Sequence, residues 1–250
     1  MTYCCGILMR DGLVMVADTR TNAGLDNIST FRKLHIFEKK GERVLMLACA
    51  GNLSVTQGVI NFLTDGFDNT ETGETEKFML APNMVQAAQI VGRAVRLSRA
   101  QANGSAEQLE GINFDVSLLL GGQIGTAAQR LFMIYSAGNS IECNSDTNYL
   151  QIGEHKYGKP ILDRAVNFET ELYDALKIGL ISMDSTIRSN LSVGLPIDIA
   201  VLRRDALQLE LSTRIDASDE YFRDLRSRWS KALKDAHMSI PAPPYRDQIL

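Results

Sequence analysis

The chain has 250 residues and a formal net charge of −4, and 45% of its residues are hydrophobic and 22% charged. This length and composition are typical of one globular domain with an ordinary core. The net negative charge argues against a general nucleic-acid binder, which needs cations to meet phosphates. No apolar run approaches the ~20 residues that span a bilayer, and the N-terminus lacks a signal peptide's basic start and apolar stretch, so we expect a cytoplasmic protein that binds neither nucleic acid nor membrane.

The first third of the chain predicts antiparallel strands. An Asp-Gly pair at positions 11–12 is a strong hairpin signal between two apolar runs. A charged turn at 39–42 separates the next two runs. The strands are predicted over residues 2–9, 13–17, 34–37 and 43–50, with a polar loop over 18–24.

Two helices are predicted next. Residues 52–67 carry apolar side chains at helical spacing, and the acidic, Thr-rich stretch 65–76 indicates a surface loop that ends this helix. Asn83 and Gln86 resemble a capping box that begins a second helix, which ends at Asn103-Gly104.

The second half of the chain again predicts strands followed by helices. Strands are predicted over 114–120 and 130–136, joined by a turn that begins at Gly121-Gly122, and over 140–143 and 149–152. Helices over 160–166 and 170–188 precede a hairpin formed by 197–203 and 207–212. A last helix over 219–236 is predicted to direct these side chains inward: Phe222, Leu225, Trp229, Ala232 and Leu233.

The order of the elements favours a particular architecture. Strands, two helices, strands, two helices, a hairpin and a helix do not follow the alternation of a parallel doubly wound sheet. The order indicates two stacked antiparallel sheets with helices outside. The Pro-rich end of the chain cannot be helical, and we expect an extended tail over 238–250.

The cysteines and glycine-rich segments do not predict metal or cofactor sites. Cys4, Cys5, Cys49 and Cys143 show no CxxC pair and lie in apolar segments, so we expect buried, reduced thiols. The stretch 121–125 lacks the Lys-Ser/Thr of a phosphate loop, and none of the three histidines lies in a GxSxG or HExxH context. We therefore expect no metal and no cofactor.

Several segments resemble a known family when taken in order. Thr2 is followed by Asp18-Thr19-Arg20-Thr21-Asn22-Ala23-Gly24, by Lys33 and by Ala48-Cys49-Ala50-Gly51-Asn52. This series resembles a proteasome β-type subunit. Two further segments resemble more closely the bacterial Anbu group, the ancestral β-subunit family: Ile28-Ser29-Thr30-Phe31-Arg32-Lys33 and Ser136-Ala137-Gly138-Asn139-Ser140.

The resemblance covers nearly the whole chain and implies a fold and an activity. The fold would be α+β, a four-layer α-β-β-α sandwich of the N-terminal-nucleophile hydrolase type, with one domain over 1–250. The activity would be that of a threonine peptidase subunit acting on peptide or protein-derived substrates. The resemblance also implies self-association into a ring or split-ring homo-oligomer.

The chemistry of these residues is consistent with that activity. A threonine hydroxyl is a weak nucleophile unless a base removes its proton, and the α-amine of an N-terminal threonine can be that base. We expect Met1 to be removed, Lys33 to keep the amine of Thr2 neutral, and Asp18 to hold Lys33. The small residues around Gly51 allow a backbone N–H to approach the reacting carbonyl as an oxyanion donor.

Each of these residues alone has a plainer interpretation. Thr2 is then the second residue of a strand, Asp18 a turn residue, Lys33 a solvated charge and Gly51 a helix-entry turn. Their joint occurrence in this order favours catalysis. We also expect Thr21, Phe31 and Cys49 in the substrate pocket. Cys49 would be a pocket wall or a core residue and not a nucleophile.

The distal part of the site follows from the resemblance less directly. The family places an Asp–Ser pair beside the nucleophile, which Asp184 with Ser185 or Ser192 and Gly194 matches. Glu154 stands where the family commonly has a serine. Two alternatives remain open: a small-molecule amidase or acylase of the same fold, and a non-hydrolytic assembly scaffold.

Overall fold

The computed structural model describes residues 1–22, 28–69, 72–104 and 113–245. Ala23 and Gly24 of the predicted loop and residues 246–250 of the predicted tail lie outside this part of the chain. Among the described residues, none of the helices is both long enough and apolar enough to cross a bilayer.

The described residues form strands and helices in the order that the sequence indicated. The strands are β1 (Tyr3–Met9), β2 (Gly12–Asp18), β3 (Arg20–Asn22), β4 (Ile28–Thr30), β5 (Leu34–Lys39), β6 (Arg43–Gly51), β7 (Phe67–Asp68), β8 (Thr75–Glu76), β9 (Val116–Ile124), β10 (Arg130–Tyr135), β11 (Ser140–Glu142), β12 (Tyr149–Gly153), β13 (Ile197–Arg203) and β14 (Leu211–Ile215). The helices are α1 (Leu53–Asp65), α2 (Met84–Gly104), α3 (Lys159–Ala165), α4 (Leu172–Ser189) and α5 (Glu220–Ser239), and a single 3₁₀ turn spans Phe78–Leu80.

The strands build two five-stranded antiparallel sheets. The first sheet has the order β12-β1-β2-β13-β14, and the second has the order β11-β10-β9-β6-β5. β1 and β2 form the hairpin that the Asp-Gly pair predicted, with Cys4 opposite Ala17 and Met9 opposite Gly12. Every residue of β1 and β2 is buried, because this hairpin is covered on both of its faces.

Apolar side chains form three separate clusters. One cluster joins residues of both sheets, and another joins the second sheet to α1 and α2. The remaining cluster joins the first sheet to α3, α4 and α5. The cluster shared by the sheets includes Cys4, Leu13, Met15, Val44, Met46, Leu119 and Leu131. The fold is therefore a mixed α/β structure with helices packed against two antiparallel sheets.

The turn predicted at Gly121-Gly122 is wrong, since both glycines lie inside β9. A Cβ atom added to Gly121 would lie 2.5 Å from Cδ2 of Leu13. The glycine is needed because the two sheets approach closely there, and the turn itself follows at residues 125–127.

Other predicted boundaries also need correction. The loop expected over 18–24 contains β3, which pairs with β4, and the stretch 65–76 contains the short pair β7–β8 with Phe67 buried. The strand predicted over 207–212 begins at Leu211, since Asp205 and Leu207 adopt positive φ angles of 63° and 49° in a longer connection.

α5 is partly different from its prediction. Asp219 caps it by accepting the N–H of Phe222 at 2.7 Å, and the helix continues to Ser239. Phe222 and Leu225 are buried as expected, whereas Ala232 and Leu233 are exposed. The inward prediction fails for these two residues because only the N-terminal half of the helix packs against the protein.

Candidate active site

A cavity of about 810 Å³ opens where β1 begins and β6 and β12 end. Three of the predicted catalytic residues line it: Thr2, Lys33 and Gly51. The three residues predicted for the substrate pocket line it as well: Thr21, Phe31 and Cys49. The sheets therefore bring together residues that lie between positions 2 and 51 and are separated along the chain.

Thr2 is held in this wall by both neighbours of β1. Its carbonyl oxygen accepts the backbone N–H of Glu154 at 2.6 Å, beyond the end of β12. The next backbone N–H, that of Tyr3, donates to Oδ1 of Asp18 at 3.0 Å. Thr2 is only 8% exposed, and these backbone contacts with the neighbouring strands fix its position.

Lys33 and Asp18 form the buried ion pair that the sequence predicted. Nζ of Lys33 lies 2.8 Å from Oδ1 of Asp18 and also donates to the carbonyl oxygen of Arg20 at 2.6 Å. The side chains of Lys33 and Asp18 are 7% and 0% exposed. Lys33 is therefore not a solvated surface charge, and the plainer interpretation of this residue is wrong.

The Asp18 carboxylate connects four parts of the site. Besides Lys33 and Tyr3, it accepts the N–H of Arg20 at 3.1 Å and that of Gly194 at 3.4 Å, both at Oδ2. Burial raises the pKa of Asp18. The Lys33 ammonium and the N–H groups of Tyr3 and Gly194 act in the opposite direction and lower it. The carboxylate thus ties β1, β3 and the segment before β13 to Lys33.

The amino terminus lies in the same environment. In this chain the amine belongs to Met1, which also lines the cavity. Burial lowers the pKa of this amine and the Lys33 ammonium lowers it further, while Asp18 and Glu154 act in the opposite direction. The surroundings of the terminus therefore favour a neutral amine at lower pH than usual.

Gly51 ends β6 in a conformation that favours glycine. Its φ is 108°, and an added Cβ atom would lie 2.2 Å from the carbonyl oxygen of Asp115. The next residue, Asn52, caps α1 by accepting the N–H of Val55 at 3.2 Å. Gly51 is therefore the turn into α1, and it lines the same cavity as Thr2.

Cys49 lines the pocket as a thiol. Burial raises its pKa to about 12, so the thiolate that nucleophilic attack requires is scarce at neutral pH. All four cysteines are buried and free. No group of three or more potential metal ligands occurs in the described part of the chain.

Asp184 and Ser192 lie apart from this group. Neither is among the described residues that line the cavity. Asp184 is fully buried and forms ion pairs with Arg188 of the same helix and with Arg226, and the pair with Arg226 anchors α5 on α4. The N–H of Ser192 donates to Oδ1 of Asn190 at 2.9 Å, two residues before Gly194 meets Asp18.

Sequence reasoning did not identify Asn190. This residue follows α4, and its Nδ2 donates to Oε2 of Glu154 at 3.0 Å. An asparagine at a helix end is common, so the sequence carried no signal for this contact. Glu154 itself lines the cavity.

The site can support acyl transfer. It supplies a hydroxyl, a buried ammonium–carboxylate pair and exposed backbone around one cavity, which are the groups that such chemistry uses.

Three solved structures match almost the whole chain. A Gly-1 mutant of Anbu from Hyphomicrobium sp. strain MC1 has a TM-score of 0.87 at 44% identity and covers 97% of this chain and 99% of its own. Anbu (ancestral beta-subunit) from Yersinia bercovieri has a TM-score of 0.88 at 42% identity, with 96% and 98% covered. The helical assembly of the Anbu complex from Pseudomonas aeruginosa has a TM-score of 0.89 at 42% identity, with 97% and 98% covered.

No protein-family model and no curated protein matches the chain. The structural matches suffice, because 42–44% identity extends over nearly complete chains. The resemblance seen in the sequence is thereby confirmed. This chain belongs to the Anbu family, the ancestral β-subunit group of the proteasome-like proteins.

Proposed function

We propose that this protein is an N-terminal-nucleophile threonine peptidase that cleaves amide bonds in peptides or protein-derived substrates. The observation that carries the proposal is the convergence of Thr2, Lys33 and Gly51 on one cavity. Asp18 supports them from behind by contacting both Lys33 and the nitrogen of Tyr3.

In the proposed reaction, Met1 is first removed and the α-amine of Thr2 becomes free. The neutral amine accepts the proton of the Thr2 hydroxyl as Oγ bonds to the substrate carbonyl carbon. The amide C–N bond then breaks, and the leaving nitrogen takes the proton from the ammonium. A water molecule attacks the remaining ester by the same proton transfers and releases Thr2.

Lys33 and Gly51 have separate proposed roles. The Lys33 ammonium disfavours a second positive charge and so keeps the amine available as a base, while Asp18 fixes its position. The backbone N–H at Gly51 is proposed to donate to the developing oxyanion. The position of Gly51 in the cavity lining supports this role.

Asp184 and Ser192 are proposed to act on catalysis through other residues. Asp184 holds α5 on α4, and Ser192 lies in the turn that presents the Gly194 N–H to Asp18. Their replacement would then displace Asp18 and Lys33 and not remove a reacting group.

We also propose that the layers form a four-layer α-β-β-α sandwich and that residues 1–250 are a single domain. The tail expected over 238–250 begins only after Ser239, because α5 continues to that residue. The three apolar clusters support this stacking, since each joins two neighbouring layers. We expect the protein to work in the cytoplasm without nucleic acid or membrane.

Self-association is the remaining part of the proposal. A relative from Pseudomonas aeruginosa forms a helical assembly. Apolar side chains toward the end of α5 and just beyond it are exposed: Leu233 by 52%, Met238 by 78% and Ile240 by 69%. A neighbouring copy can bury them. We propose a homo-oligomer that is a ring, a split ring or a helix of subunits.

Hydrolysis of fluorogenic peptide amides tests the proposed function. We expect Thr2→Val, which removes the hydroxyl at nearly constant volume, to lower the rate by at least about 100-fold. Thr64→Val is the matched control, because this threonine is exposed on α1 and away from the cavity. Cleavage only of small acyl amides would favour an acylase, and no cleavage of any amide by the assembled protein would favour a scaffold.

A further inference from the structure

Glu154 brings a second carboxylate to the cavity wall. β12 ends at Gly153, whose φ is 79° and where an added Cβ atom would lie 2.0 Å from the carbonyl oxygen of Thr2. This close approach lets the N–H of Glu154 reach the same oxygen at 2.6 Å. The backbone therefore fixes Glu154 directly beside Thr2.

Asn190 holds the side chain of Glu154. Its Nδ2 donates to Oε2 of Glu154 at 3.0 Å, while its Oδ1 accepts the N–H of Ser192 at 2.9 Å. Its own N–H donates to the carbonyl oxygen of Thr186 at 2.9 Å, at the end of α4. With the amide fixed in this way, Asn190 directs one donor at the Glu154 carboxylate.

The same turn also reaches the other carboxylate of the site, because the Gly194 N–H donates to Oδ2 of Asp18. The charged or titratable groups around the terminus include Asp18 at the end of β2, Arg32 and Lys33 before β5, His35 in β5 and Glu154 after β12. Burial and the Lys33 ammonium lower the pKa of the Met1 amine, and Asp18 and Glu154 raise it.

We propose that Glu154, held by Asn190, is a positioning residue that stabilises the ammonium form of the Thr2 α-amine during proton transfer. This inference rests on the proposed function, since the proton comes from the Thr2 hydroxyl as its oxygen bonds to the substrate carbon. The amine that gains this proton needs nearby negative charge, because the Lys33 ammonium repels it. Asp18 is already paired with Lys33, and Glu154 supplies a second carboxylate.

The pKa of the α-amine tests the proposal without requiring turnover. The rate of acetylation of this amine by trace acetic anhydride is measured against pH, with mass spectrometry to count labelled N-terminal peptides of the Met1-free protein. Glu154→Gln keeps the shape and still accepts from Asn190 but removes the charge. Glu169→Gln is the matched control, because Glu169 is exposed, pairs with Arg10 and does not line the cavity.

We expect Glu154→Gln to lower the α-amine pKa by about half a unit or more, and Glu169→Gln to leave it unchanged. Glu154→Asp, which keeps the charge, should lie closer to the parent. Asn190→Ala should shift the pKa in the same direction by less, because the carboxylate stays but is no longer held.

An α-amine pKa in Glu154→Gln equal to that of the Glu169→Gln control would overturn the proposal. If Glu154→Gln does not fold, Asn190→Ala decides the proposal by the same comparison, and an α-amine pKa equal to that of the control would overturn it. Failure of Thr2 to hydrolyse amides would contradict the proposed function while leaving the amine titration measurable. Met1 retained on every molecule would overturn both.

Discussion

Replacing Lys33 by methionine removes the ammonium from the buried pair and leaves the Asp18 carboxylate without a counter-ion. Loss of one partner of a buried ion pair typically costs about 3–5 kcal/mol. Asp18 keeps the N–H groups of Tyr3, Arg20 and Gly194, so we expect a loss near the lower limit, about 3 kcal/mol of unfolding free energy. The methionine keeps most of the side-chain volume, so little of this loss comes from packing.

The same variant should lose activity through the amine. Because Lys33 lowers the pKa of the terminal amine, its removal raises that pKa and protonates the base at neutral pH. We expect the rate of covalent labelling of Thr2 by a peptide electrophile to fall at least about 100-fold. Lys33→Arg should restore little, because a planar guanidinium does not fit the contacts with Asp18 and the Arg20 carbonyl.

Guanidinium denaturation and labelling kinetics check both effects. Lys159→Met is the control, because Lys159 pairs with Asp163 on the surface, where such a pair contributes less than about 1 kcal/mol. The double variant with Asp18→Asn should lose less stability than the sum of the two single variants, since the stranded charge is gone. A Lys33→Met protein that unfolds and labels like the Lys159→Met control would refute the reasoning.

Three further predictions concern the pH dependence of labelling, the role of Gly51 and self-association. Burial and the Lys33 ammonium lower the pKa of the Met1 amine, and we expect the same surroundings to act on the Thr2 amine once Met1 is removed. The labelling rate of the Met1-free protein should then fall toward acid pH with a midpoint below the ordinary α-amine value of about 7.7–8.0, and a midpoint at or above that value would contradict this. Gly51→Ala should lower the free energy of unfolding by more than about 1 kcal/mol and abolish labelling of Thr2. The control Gly41→Ala, at a glycine that also has a positive φ but has open space around it, should lose stability and keep labelling. Equal effects of the two variants on denaturation and on labelling would contradict the role of Gly51. Leu233→Lys should weaken self-association in analytical ultracentrifugation, while a parent protein sedimenting only at 27.6 kDa would contradict the proposed assembly.

Local sequence signals predicted much of the fold. The Asp-Gly pair at 11–12 predicted the β1–β2 hairpin, and Asn83 accepts the N–H of Gln86 at 2.9 Å as its predicted capping role requires. The placement of Lys33 against Asp18 came from the resemblance, and the structure has this pair at 2.8 Å. Each of these features depends on a few neighbouring residues or on a motif with fixed spacing.

The features that sequence reasoning missed depend on contacts across the fold. Gly121 lies in a strand because Leu13 of the other sheet packs against it, which no local pattern indicates. Helical periodicity predicted an apolar face on α5 but could not tell that the described residues leave Leu233 52% exposed. Glu154 and Asn190 are 36 residues apart and meet only because β12 and α4 end at the same place.

The most direct test of the account is the site of reaction of a peptide epoxyketone, a reagent that joins both the hydroxyl and the α-amine of an N-terminal threonine. Intact mass followed by peptide sequencing of the adduct identifies the modified residue. We expect a protein that lacks Met1 and carries one reagent on Thr2, bonded through Oγ and the α-nitrogen. An unmodified Thr2 on protein that lacks Met1, or a reagent bound only at another residue, would contradict Thr2 as the nucleophile.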